Sequence, residues 1–151
     1  MITVLIVMTG IMAGIYFAFS VVVMTSLAEL SKPQGAKVMN EINDVILNTA
    51  FMPLFFISTF WFALLIPWSL VDWQEGQSLL EVCAAVVYII GMFFVTAFGN
   101  VPLNNKLKLS EKDTFSLQQS WDEYLIKWTR LNHIRTLSSI AACAILVLAH
   151  V

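Results

Sequence analysis

The chain has 151 residues, of which 59% are hydrophobic and 12% charged, with ten acids against eight bases and a formal net charge of -2. That composition, at a mean hydropathy of +0.81, is more apolar than a water-soluble domain of this length carries. It also leaves no basic field able to hold a nucleic acid.

Charges divide the chain. None occurs from Ile2 to Ala28, from Val45 to Val71, from Val82 to Asn105 or from Thr136 to Val151. This predicts an all-α integral membrane four-helix bundle, a single membrane domain with spans near 2–28, 47–70, 79–100 and 132–151. The first three gaps exceed the ~20 residues that cross ~30 Å of hydrocarbon. No basic n-region or small-residue cleavage site accompanies the first stretch, so it is expected to be a retained span. Within it Gly10 and Gly14 form a small-xxx-small step that lets another helix approach, which makes a homo-oligomer the expected state.

After the first span Pro33 opens a second element. Ala36, Met39, Asn43, Ile46 and Leu47 share one helical face while Gln34, Lys37, Glu41 and Asp44 lie largely opposite, the pattern of an amphipathic interfacial helix between spans 1 and 2. The connection around Asp72 and Glu75 is short and carries no base. Beyond Pro102 the segment Asn104 to Asp113 reads as a polar loop. Trp121, Tyr124, Trp128, Asn132 and Arg135 then recur at steps of three and four, predicting a cytoplasmic helix that leads into span 4. The last charge-free stretch holds only 16 residues, so that span must begin near Asn132, bringing His133 and Arg135 to or below headgroup level. All eight Lys and Arg residues fall in the first and third connections. By the positive-inside bias those loops are cytoplasmic and both termini lie outside, in a multi-pass protein of the cell (inner) membrane.

The polar residues at the cytoplasmic ends of the spans are the candidates for chemistry: Asn43, Asn48, Asn100, Asn104, Trp121, Tyr124, Trp128, Asn132, His133 and Arg135. In hydrocarbon each uncompensated polar group costs several kcal/mol, so these groups are expected to converge on one another, on backbone or on a ligand. Simpler readings stand beside this one. The tryptophans fit an aromatic belt, Asn100 and Asn104 flank Pro102 where asparagine caps or turns, and Arg135 can snorkel to phosphates. Cys83 and Cys143 lie in apolar runs and read as buried hydrophobes. The cluster holds one His, His150 lies at the opposite face and no carboxylate lies within the spans. No metal site is therefore predicted; a haem or metal bound through His133 stays open.

Five stretches carry a resemblance: Gly14-Ile-Tyr-Phe-Ala-Phe-Ser20, Val38 to Asn43 leading to Asn48, Gly99-Asn-Val-Pro-Leu-Asn104, Trp121-x-x-Tyr124, and Trp128-Thr-Arg-Leu-Asn-His-Ile-Arg-Thr136. Taken in order along nearly the whole chain, they resemble the anthrone oxygenase-like family of small membrane proteins. Many members have proline after the asparagine matching Asn48, where this chain has Thr49 and a later Pro53. The resemblance implies an oxygenase-like membrane protein acting on a hydrophobic aromatic, anthrone-like small molecule with dioxygen and no recognised cofactor. Such chemistry needs a base, donors for an enolate-like anion and a dry pocket. His133 is the expected base. Arg135, Asn100, Asn104 and Asn132 are the expected donors, with Asn43 and Asn48 beside them, and Trp121, Tyr124 and Trp128 the expected walls. The alternative is a non-enzymatic protein whose cluster holds a membrane lipid, a quinone-like molecule or a partner subunit; a small transporter ranks below it.

Overall fold

The computed structural model describes residues 2–151. Five helices make up the chain, with no strand among the described residues: α1 (Ile2–Ala28), α2 (Lys32–Ile46), α3 (Phe51–Val71), α4 (Gln77–Lys112) and α5 (Thr114–Ala149). Four of them, α1, α3, α4 and α5, are long and apolar enough to cross a membrane. At ~1.5 Å per residue the 36 residues of α4 and of α5 reach ~54 Å, well beyond ~30 Å of hydrocarbon. The excess carries the charges, so one end of the bundle is apolar and the other charged.

Local chemistry explains the boundaries. Asp113 caps α5, its carboxylate accepting from the Ser116 backbone N–H at 2.8 Å, a standard N-cap bond. Gly76 precedes α4 at φ 83°, a left-handed conformation in which a Cβ would be strained. The expected loop after Pro102 is instead helix through Leu109 and a 3-10 turn to Lys112. Pro102 stands in the first turn of a fresh α-helical stretch that follows a π-helical one, where its missing N–H costs little. Leu107 is buried on the inner face, Lys106 and Lys108 sit at the carbonyl-rich end, and both favour continuation.

Packing forms two cores. In the apolar half Leu5, Met12, Phe55, Phe62, Tyr88 and Leu146 pack together. In the charged half Met24, Met39, Leu107, Leu117, Trp121 and Trp128 do. The helix α2 turns Gly35, Ala36, Met39 and Asn40 inward, and a Cβ on Gly35 would stand 2.7 Å from Cζ2 of Trp121. The charged flank, with Lys37, Glu41 and Asp44, is exposed, and so is Leu47, which the periodicity placed on the opposite face.

A buried carboxylate lies within the expected span 79–100, contrary to the sequence expectation. Glu81 is buried on α4 at the apolar end, accepting from Ser69 Oγ, from Gln77 Nε2 at 3.1 Å and facing His150 Nε2 at 3.0 Å. Three donors from α3, α4 and the end of α5 surround it, which is why a lone acid is tolerated there.

Candidate functional site

The site lies at the seam between the two cores, where α2 gives way to α3 through the turn at residues 47–50. It is built outward from Arg135. Steps of three and four on α5 place Trp121, Tyr124, Trp128, Asn132 and Arg135 on the inward face, and all five are buried.

Arg135 is 5% exposed. Its Nη1 donates to Thr96 Oγ1 at 3.2 Å and its Nη2 to Asn132 Oδ1 at 2.6 Å. Its guanidinium carbon stands 4.4 Å from the ring centroid of Tyr16 and 5.1 Å from that of Trp128, both within cation–π range. Asn132 is in turn fixed by donating to the Tyr16 carbonyl at 2.8 Å and to Ser20 Oγ at 2.7 Å. Three helices thus hold one cation. Among the described residues no acid pairs with it, every ion pair lying elsewhere, and its Nε has no hydrogen-bond partner.

Beside Arg135 is a cavity of about 350 Å³, inside the range of small-molecule sites. Tyr16 and Phe19 of α1, Met39 and Asn43 of α2, Phe51 and Phe55 of α3, Phe93, Thr96 and Asn100 of α4, and Trp128 and Arg135 of α5 contribute to its wall. The wall is mainly apolar and aromatic, with a single cation.

Toward the charged end the cavity is roofed. Tyr124 donates its hydroxyl to Asn104 Oδ1 at 2.8 Å and accepts from Asn43 Nδ2 at 3.5 Å. Its ring stacks between Trp121 and Trp128, with centroids 5.8 and 5.6 Å apart. Asn100 donates to the Trp128 carbonyl at 3.2 Å, while its own Oδ1 stays buried and unpartnered. Such orphaned polar atoms are rare in folded chains.

The structure therefore brings Asn43, Asn100, Asn104, Trp128 and Arg135 to the cavity wall. Tyr124 and Asn132 stand directly behind it. Trp121 lies farther off, pressed under Gly35. Two candidates are not brought in. Asn48 is exposed and donates to the Asp44 carbonyl. His133 is exposed on the outer face of α5, because one step along a helix turns a side chain ~100° away from Asn132. Sequence reasoning missed Tyr16 and Thr96 as site residues. Both sit inside apolar runs, although Tyr16 falls within the Gly14 to Ser20 string. Neither the helix geometry nor the hydropathy marks the three π-helical stretches, Phe19–Val23, Ile89–Phe94 and Thr96–Asn100, which lie in the helices around this site, as such widened turns often do. No three His, Cys, Asp or Glu side chains gather as a metal site among the described residues.

A family model described as anthrone oxygenase matches residues 45–145. The match covers the wall segments of α3, α4 and α5 but leaves out α1 and all of α2 except Val45 and Ile46, so Met39 and Asn43 lie outside it. No curated protein and no solved structure matches the chain.

Proposed function

This chain belongs to the anthrone oxygenase family, and on that premise we propose that it is a membrane-embedded oxygenase that oxidises a hydrophobic, anthrone-like aromatic with dioxygen. The observation that carries the reading is Arg135, a buried guanidinium without a counter-ion on the wall of an apolar, aromatic cavity. A cation so placed is poorly compensated until an anion arrives. An enolate or phenolate oxygen directed at it supplies that anion, and the flat ring lies against Trp128 and the phenylalanines.

The chemistry balances with dioxygen alone. The benzylic CH2 of the substrate loses one proton, and the resulting delocalised anion is held with its oxygen toward Arg135. Its carbon bonds to dioxygen, giving a peroxide that takes up a proton. Loss of the second C–H proton with cleavage of the O–O bond leaves a ketone and water. The protein's part is to favour the ionised substrate by charge, to orient the ring and to keep bulk water away from the anion. Asn43, Asn100 and Asn104 supply hydrogen bonds to further oxygens on the ring, and Asn132 positions Arg135. This assignment needs no added cofactor and gives His133 no role as base, since its ring faces away from the cavity. The first proton leaves through the hydrogen-bonded roof of Asn43, Tyr124 and Asn104 to water at the charged end. In the membrane, the segregation of Lys and Arg to one end supports placing that end in the cytoplasm.

One observation favours the rival reading of a non-enzymatic binder: no His, Asp or Glu is among the wall residues. Oxygen uptake decides. Detergent-purified protein given an anthrone should consume oxygen, with loss of at least about a hundredfold in Arg135→Met. Stoichiometric binding of the anthrone with no uptake above background would establish the binder instead.

A further inference from the structure

The cavity has one side where the helices part. Along the apolar half α3 packs on α1 and on α4 through Phe94, but beyond that point the Thr96–Leu109 stretch of α4 turns to α5 and α2. The first turns of α3 and the Thr96–Val101 turn of α4 therefore diverge beside the cavity. Wall residues at this divergence are also exposed on the outer surface: Leu47 at 60%, Phe56 at 54% and Val101 at 42%. All are apolar. At the charged end, by contrast, the roof of Tyr124, Asn104 and Asn43 and the Trp121–Tyr124–Trp128 stack close the cavity toward water.

We infer that Leu47, Phe56 and Val101 frame a lateral portal, through which an uncharged, lipid-dissolved aromatic reaches the cavity directly from the bilayer. The inference rests on the site reading above and adds the form in which the substrate arrives. A phenol or anthrone dissolves in hydrocarbon only while neutral. It crosses the apolar rim in that form and ionises afterward, beside Arg135. A product with no acidic proton loses its attraction for the guanidinium and leaves by the same route.

The test uses 1-naphthol as probe and the full chain in phosphatidylcholine vesicles, with its fluorescence followed by stopped flow. Bulk at the rim, in Val101→Phe and separately in Leu47→Trp, should slow association and release together by about tenfold, as a narrowed gate does. The dissociation constant then stays nearly constant. Unchanged rates in both folded variants would overturn the portal, as would a lower association rate with unchanged release, which marks a lost contact. Arg135→Met separates the two readings: retained affinity there removes the anion site while leaving the gating test intact. Failure of the unmodified chain to bind 1-naphthol from vesicles would overturn both.

Discussion

Replacing Arg135 with methionine sets a structural role against an anion-binding one. In the free protein the guanidinium has two hydrogen bonds and two ring contacts, worth together several kcal/mol by ~1.5–3 for a charged hydrogen bond and up to ~2 for a desolvated cation–π contact. Against this stands a desolvation cost of several kcal/mol for a buried ion. The two nearly cancel, so Arg135→Met should alter stability by no more than ~2 kcal/mol, a shift of a few degrees in thermal midpoint. Ligand ionisation should behave otherwise. A unit charge ~4 Å away at an effective dielectric of ~20 contributes ~4 kcal/mol, or ~3 pKa units at 1.36 kcal/mol each, before the ligand's own desolvation. Spectroscopic titration of bound 1-naphthol should accordingly show its pKa depressed by ~1–3 units in the unmodified protein, the upper figure being that Coulomb limit, and not depressed in Arg135→Met. An equal ligand pKa in the two proteins would refute the reasoning. So would a collapse of stability that left the ligand shift in place, since Arg135 would then be holding helices and not an anion.

Three other perturbations bear on the architecture. Gly35→Ala forces a Cβ to within 2.7 Å of Trp121 Cζ2 and 2.8 Å of the Leu27 carbonyl, and should cost about 1–3 kcal/mol by overpacking, read from the thermal midpoint in detergent. Removing Glu81 as Glu81→Ala strips the partner from Ser69, Gln77 and His150; a loss of several kcal/mol is expected, with 1-naphthol affinity unchanged because the cluster is at the other end of the bundle. The Asp113 carboxyl is held below the usual carboxylate range, first by the Ser116 hydroxyl and then by backbone N–H groups. Its contribution is therefore complete above the ordinary value of ~3.9 and disappears as pH falls through the lower folded value. Asp113→Ala should lower the thermal midpoint at pH 7, and the difference from the unmodified chain should shrink as the pH drops below 4.

Where the sequence spoke clearly, it did so through charge and through period. Long charge-free runs gave four helices able to span a membrane, because burying an ion in hydrocarbon is costly enough to dominate every other preference. The steps from Trp121 to Arg135 gave one face of α5, since residues three and four apart stack on a helix. The same rule shows why His133 does not share that face: it is adjacent in sequence to Asn132 and nearly a third of a turn away in space. The start of α3 came out at Phe51 and not 47, because Asn48 and Thr49 bond back to Asp44 and Ile46 in a turn, a local competition that hydropathy does not register. Nor does it register Thr96 and Asn100 in a π-helical register, which changes the facing of residues after each widened turn.

The helix α5 packs on α1, α2 and α4 and is made after all three. On the ribosome, Ser20, Thr96 and Asn100 are synthesised well before the residues they meet, Asn132, Arg135 and the Trp128 carbonyl. Until α5 emerges, the three preceding spans hold polar groups in the bilayer with nothing from α5 to satisfy them. A chain stopped before Asn132 therefore lacks the bonds that tie α1 and α4 to α5 through Ser20 and Thr96.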